Sequence, residues 1–296
     1  MWKIHPNPFI KNHRPILFAH RGDSAHIPEN THQAFEDAYQ LNVDSIETDV
    51  HMTKDRRFVF FHDPSLERTT NGTGQIADYT LAELKELDAG YKFQLEGSDD
   101  FPFRGKGLQI LSIDEILPRY PNIRFNIDIK SINPEAPKLL AQKLNKLGVE
   151  ERVCVGSFHQ KQIERFRTYS SSASSAGKNE VVKFLLKSRW WKNRLSNLTE
   201  SEKTPKTYKE AIENQKQVFG KELPYFSLQI PEKMSIINIV SPYFIEFAHY
   251  VGISVHVWTI NDASDMKRLL QWGVDGIFTD KPRVLLEMWE NIKIIE

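Results

Sequence analysis

Short runs of β-branched and aromatic residues alternate with amphipathic stretches along nearly the whole chain. This is the pattern of parallel strands whose connecting helices pack outside the sheet. Eight strands are expected, ILFAH at 16–20, VDSIETDV at 43–50, RFNIDIK at 124–130, RVCVGSF at 152–158, TYSSSAS at 168–174, YFSLQI at 225–230, ISVHVWTI at 253–260 and GIFTD at 276–280. Helices are expected at 134–147, 159–167, 241–251, 262–272 and 282–293, several of them preceded by Ser, Asn or Asp. Another opens at Thr31, where Asn30 stands three positions before Gln33 in the arrangement of a capping box. Eight strand–helix units close into an α/β barrel, and 296 residues suffice for one barrel domain, 1–296, of the usual size of roughly 250 residues plus insertions.

Two segments exceed a bare barrel. Residues 51–110 hold an expected hairpin, HMTKDRRFVFFHD, and then a Gly- and Pro-bearing excursion with its own helix at 80–88, so they form a small inserted subdomain after strand 2. Residues 176–222, polar and lysine-rich, are expected as an extended strand-to-helix connection.

Composition changes this picture little. The chain is 40% hydrophobic and 26% charged, which suits a soluble globular protein. Its 39 basic and 39 acidic residues balance, so no overall field favours nucleic acid, and none is expected as a partner. Cys154 is the only cysteine, which excludes an intrachain disulfide. The N-terminus, MWKIHPNPFIKNHRP, lacks a signal-peptide core, and no window approaches the roughly 18 apolar residues of a membrane span, so a cytoplasmic location is expected.

The strand alternation places chemistry. Side chains two apart share a face, so Glu47 and Asp49 point the same way, as do Asn126, Asp128 and Lys130. Like charges side by side inside a barrel need a cation or a proton to neutralise them. Three carboxylates, Glu47, Asp49 and Asp128, make an oxygen-donor site suited to one hard divalent cation, Mg2+ or Ca2+. His20 closes the first strand, at the end of a barrel where reacting groups collect. The hairpin returns His62 to roughly opposite Glu47, while Arg21 and Lys130 offer positive charge to a phosphate. The set suits phosphoryl chemistry with an imidazole acid and an imidazole base.

In order along the chain, His20-Arg21-Gly22, Pro28-Glu29-Asn30-Thr31, Glu47-Thr48-Asp49, Phe61-His62-Asp63, TTNGTG at 69–74, FPFRGKG at 101–107, NIDIK at 126–130, VWTIN at 257–261 and GVDGIFTDKP at 273–282 resemble the glycerophosphodiester phosphodiesterase family. The resemblance implies a TIM-type (β/α)8 barrel with an inserted subdomain after strand 2. It implies metal-dependent hydrolysis of a small glycerophosphodiester to glycerol 3-phosphate and an alcohol, directly or through a cyclic phosphate. By the same resemblance Glu47, Asp49 and Asp128 bind the metal, His20 and His62 are the catalytic pair, Arg21 and Lys130 hold phosphate, and Trp258 lines the glycerol side. Two positions depart from the family pattern. Asp128 stands where many members have glutamate, and Arg56 stands where the hairpin turn commonly has glycine, at a cost of ~1 kcal/mol if that residue is left-handed.

Two rival activities remain: a lysophospholipase D using the same site, and a non-catalytic barrel that binds phosphorylated metabolites. Residues 183–195, KFLLKSRWWKNRL, combine five basic residues with Trp190 and Trp191. They suit either an outer barrel helix with snorkelling lysines or peripheral contact with an anionic membrane. Among the other histidines, His256 shares a strand face with Trp258. Oligomeric state is not legible.

Overall fold

Parallel strands covered on both faces read as unbroken apolar runs, and the first strand, Ile16–His20 (β1), is buried along its length until its last residue. The computed structural model describes residues 7–12, 14–234 and 237–293. Part of the N-terminal stretch in which no signal peptide was found, residues 1–6 and 13, lies outside them. The remaining strands are Ser45–Met52 (β2), Phe58–Phe60 (β3), Arg124–Ile129 (β4), Val153–Gly156 (β5), Ala173–Ser174 (β6), Ser227–Pro231 (β7), Lys233–Met234 (β8), Ile237–Asn238 (β9), Ser254–Trp258 (β10) and Gly276–Thr279 (β11). Eight of them are hydrogen-bonded in the order β6-β5-β4-β2-β1-β11-β10-β7, every pairing parallel. A bridge between Ser175 and Ser227 joins the two ends, so the expected TIM-type barrel is nearly closed.

Helices cover the outside: His32–Gln40 (α1), Leu81–Lys85 (α2), Ile113–Arg119 (α3), Ala136–Leu147 (α4), Gln160–Arg167 (α5), Lys178–Ser196 (α6), Glu200–Lys203 (α7), Tyr208–Phe219 (α8), Pro242–Tyr250 (α9), Ala263–Trp272 (α10) and Pro282–Lys293 (α11). Among the described residues no helix is long and apolar enough to cross a membrane. Along each barrel strand one set of alternate residues, such as Ile46, Val50, Phe125, Ile127 and Ile129, joins the large core beneath these helices. The other set turns inward. Phe18, Cys154, Ala173 and Phe278 fill the lower barrel, with Phe9 and Ile10 packed against them from the N-terminal segment. Gly276 is required in this layer, because a Cβ there would lie 2.7 Å from the Phe18 ring and 3.0 Å from His256.

Two local expectations are corrected, and two further segments take form. The N-cap of α1 is Thr31, whose hydroxyl accepts from the Ala34 N–H, and Asn30 instead takes a left-handed φ of 57° and accepts from the Thr48 hydroxyl. The fifth barrel strand shrinks from 168–174 to two residues, since Thr168 and Tyr169 stay in the final turn of α5 through bonds to Arg165 and Phe166. The 176–222 connection folds into α6, α7 and α8, anchored where Asn214 and Gln215 donate to the Tyr250 and Val251 carbonyls. Finally α3, which no periodic signal announced, is a seven-residue helix started by a Ser112–Glu115 capping box.

The hairpin forms, with β3 antiparallel to β2 through Val50 and Phe60. Arg56 in its turn has φ 60°, so the left-handed position is occupied by a side chain with a Cβ, at about 1 kcal/mol over glycine. The segment that follows packs around its own apolar cluster, with Leu66, Ile76, Leu84, Leu108 and Ile110 against Val59 and Phe61.

His256 is fully buried among the rings of the lower apolar layer. Its ring centroid is 5.0 Å from that of Phe18, and neither ring nitrogen has a hydrogen-bond partner among the described residues. Burial pushes its pKa down to about 4. The unfolded chain therefore binds this proton first as pH falls, and stability is lost from about pH 6.5 down to about pH 4, some 3 kcal/mol over the full window. His256→Phe should remove that share of the acid sensitivity. Urea unfolding at pH 7 and pH 4.5 should show the variant losing about 2 kcal/mol less than the parent between the two conditions. Parallel losses in both proteins would show that this imidazole does not set the acid slope.

Candidate active site

Where the apolar barrel interior ends, the inward alternation continues with charged residues. His20 pairs in register with Glu47 across β1 and β2, and Asp49 pairs with Asp128 across β2 and β4. Glu47, Asp49 and Asp128 are all buried. Lys130 follows β4, and its Nζ lies 3.1 Å from Asp49 Oδ1 and 2.8 Å from Asp128 Oδ2. Arg21 reaches the same place because the chain turns sharply after β1. Arg21 adopts φ 58°, its N–H donates to the Glu47 carbonyl, and its Nε stands 3.2 Å from Asp49 Oδ2. Gly22 completes the turn at φ 90°, where a Cβ would fall 2.6 Å from the Ala34 backbone.

Both imidazoles are held by carboxylates. His20 Nδ1 is 2.6 Å from Asp280 Oδ1, and His62 Nδ1 is 2.6 Å from Asp63 Oδ1. Each ring is thereby left with Nε2 for chemistry, and His20 Nε2 lies 3.7 Å from Glu47 Oε2. The two anchoring carboxylates differ. Among the described residues the Asp280 carboxylate accepts, besides His20, from neutral donors, Ser24 Oγ at 2.9 Å and Asn261 Nδ2 at 2.6 Å. Asp63 is also gripped by Arg68, which bonds Glu29 through two further nitrogens, and Glu29 in turn accepts from Arg21. One connected network thus runs from His62 to Asp128.

Electrostatics follow from this wiring. Burial and the neighbouring Asp49 charge push Glu47 up to about 7. Burial by itself would lower His20, but the Glu47 charge and the bond to Asp280 prevail and raise it. Asp49 is also desolvated, yet Lys130 and Arg21 hold it below the usual carboxylate range. Asp128 is raised, because burial outweighs the attraction of Lys130. Burial would raise Asp280, but its hydrogen bond to His20 and the imidazole charge bring it down to about 2.

All eight residues expected at the site fall on the strand-end side of the barrel. Trp258 ends β10, its ring 5.6 Å from Phe158, and Phe158 in turn lies 4.8 Å from Lys130 Nζ. Sequence reasoning gave no role to Glu29, Asp63, Arg68, Phe158 or Asp280. Asp280 had a signal, for it shares the inward parity of Gly276 and Phe278 at a strand end. Arg68 had none, since the inserted segment carries no periodicity. The expected carboxylate cage is not drawn tight. Among the described residues no three His, Cys, Asp or Glu side chains are gathered closely enough to hold a metal ion, and the Lys130 ammonium bridges Asp49 and Asp128.

Residues 20–284 match the model of the glycerophosphoryl diester phosphodiesterase family. A glycerophosphodiester phosphodiesterase of Caldanaerobacter subterraneus subsp. tengcongensis is 30% identical over 280 residues, covering 93% of this chain and 98% of that relative. A lysophospholipase D of Homo sapiens is 24% identical, with 96% of this chain and 87% of the human protein aligned. Among solved structures, an Oleispira antarctica phosphodiesterase in complex with the product sn-glycerol-3-phosphate superposes with a TM-score of 0.65 at 22% identity, over 94% of this chain and 97% of that one. That likeness shows the shared fold.

Proposed function

The chain belongs to the glycerophosphoryl diester phosphodiesterase family of hydrolases, and from that membership we propose that it cleaves glycerophosphodiesters to glycerol 3-phosphate and an alcohol with His20 and His62 as the acid–base pair. The observation that carries the catalytic assignment is the matched tethering of the two imidazoles. In each, a carboxylate 2.6 Å from Nδ1 fixes the tautomer and leaves Nε2 to move a proton. Arg21 and Lys130 are the cations placed to receive the phosphate, and a bound diester would compete with Asp49 and Asp128 for them. Trp258 packs on Phe158, which lies beside Lys130, and the two rings would suit the carbon skeleton of the glycerol.

Support for a divalent cation comes from the donors themselves. Glu29, Asp49, Asp63 and Asp128 share the cations Arg21, Arg68 and Lys130, while Glu47 and Asp280 flank His20 beside them. Glu47 Oε2 is buried without a hydrogen bond. Hard oxygen donors with an excess of negative charge fit Mg2+ or Ca2+, held by Glu47, Asp49 and Asp128. Such an ion would supply Lewis-acid polarisation of a phosphate oxygen.

A lysophospholipase D reading is favoured by Ile132 and Phe158, apolar side chains 77% and 55% exposed on the loops after β4 and β5. Purified protein should release choline and glycerol 3-phosphate from glycerophosphocholine when Mg2+ or Ca2+ is added, faster than it releases choline from lysophosphatidylcholine. The reverse preference would establish the lysophospholipase reading. No turnover of either diester would return the barrel to a binding role.

A further inference from the structure

α6 has two apolar faces. Phe184, Ser188, Trp191 and Leu195 pack inward, with the Phe184 ring against Phe244 and Phe247 of α9 and the Ser188 carbonyl accepting from the Tyr243 hydroxyl. At helical spacing on the opposite side run Val182, Leu186 and Trp190, which are 43%, 60% and 66% exposed. Folding of the barrel needs only the first face. A sequence reading that treats Trp190 and Trp191 as a pair is therefore divided by the structure, Trp191 to the core and Trp190 to the surface.

The second face is embedded in positive charge. α6 carries six basic residues, Lys178, Lys183, Lys187, Arg189, Lys192 and Arg194, in a protein of zero net charge. Its single acid, Glu180, is already paired with Arg167 at 2.8 Å. Lys187 and Arg194 flank the Trp190 indole, 4.9 and 5.3 Å from the ring. Beside the stripe a groove of about 630 Å³ opens between α5, α6 and the end of α8, lined by Phe184, Phe219 and Leu223, by Lys183, Lys187 and Lys221, and by the acids Glu164 and Glu180.

We infer that this face of α6 docks the protein on an anionic phospholipid surface, with Trp190, Leu186 and Val182 entering the acyl boundary and the flanking lysines and arginines meeting lipid phosphates. An exposed apolar stripe bordered by cations is the arrangement of interfacial helices. A second copy of the chain would oppose six cations with six cations, and nucleic acid would give Val182 and Leu186 nothing apolar to bury. The inference stands on this surface alone and does not depend on the activity proposed for the barrel mouth.

Co-sedimentation of the full chain with phosphatidylglycerol vesicles and with phosphatidylcholine vesicles tests it. Binding is expected to the first and not the second, and should be released by high salt. Lys187→Gln should weaken the partition coefficient about five-fold and Lys183→Gln by a similar factor. Trp190→Ala should weaken it about ten-fold, whereas Lys267→Gln on α10 should leave it unchanged. Thermal melting confirms that each variant is folded. Equal partition onto both lipids, no sedimentation at all, or a Trp190→Ala variant that binds as well as the parent would overturn the inference. Binding to a single-stranded oligonucleotide in the absence of vesicle binding would also overturn it and assign the face to nucleic acid.

Discussion

His20→Ala and His62→Ala should each lower kcat on glycerophosphocholine by about 10² to 10⁴, the usual worth of a positioned proton donor or acceptor, but they should diverge on a substrate with an aryl leaving group. The structure supplies the reason. Asp280 meets neutral donors besides His20, and together with Glu47 it raises His20 above its ordinary value, which favours His20 as the proposed acid. Asp63 divides its oxygens between His62 and Arg68, and by elimination His62 is proposed as the base. A nitrophenolate leaves without protonation. His20→Ala should therefore recover most of its loss on glycerophospho-p-nitrophenol, and His62→Ala should not. The opposite pattern would exchange the two roles, and equal recovery by both variants would separate neither from simple binding. Asp280→Asn should mimic a weakened His20, with a smaller loss on the alkyl substrate and little on the aryl one.

Lys130→Met should be the most destabilising single change at the site, by about 3 to 5 kcal/mol, because it leaves Asp49 and Asp128 as neighbouring buried carboxylates without their common cation. Chemical denaturation in the presence of EDTA is the relevant measurement. Asp128→Asn added to Lys130→Met should regain a large part of the loss by removing one of the unpaired charges, so the two changes should be strongly non-additive. If Glu47, Asp49 and Asp128 hold a divalent cation, Mg2+ or Ca2+ should raise the melting temperature of the Lys130→Met protein more than that of the parent, in which the ammonium competes for the same oxygens. A Lys130→Met protein as stable as the parent would contradict the network, and a melting temperature indifferent to both ions in parent and variant would count against the carboxylate site.

These experiments probe features that differ in how far they were legible beforehand. The barrel was visible because strand and helix periods are properties of the local backbone, and Glu47, Asp49, Asp128 and Lys130 were assigned to the interior by alternation alone. The hairpin followed from its turn, and the left-handed Arg56 confirms that the turn has the geometry a glycine would suit. The same logic failed where the local signal was thin. The strand at 168–174 had serines in place of apolar alternation, and the seven-residue α3, with Pro118 inside it, was too short for its period to show. In the 176–222 segment only the helix at 183–195 was offered, and as one of two readings, because α6 is apolar on two sides, which blurs the single stripe by which an amphipathic helix is read.

By itself the sequence determined the repeat of strand and helix, the inward set of carboxylates and cations, and the pair of histidines at the strand ends, since each depends on neighbours a few residues away. Only the tertiary structure decided which nitrogen of each imidazole is free, that Lys130 divides Asp49 from Asp128, and that Arg68 of the inserted segment reaches back to Asp63 and Glu29. Asp280 holds His20 from 260 residues away because barrel closure sets the last strand against the first. Periodicity records the face on which a side chain lies, whereas its partner across that face is fixed by closure and packing, for which no local pattern exists.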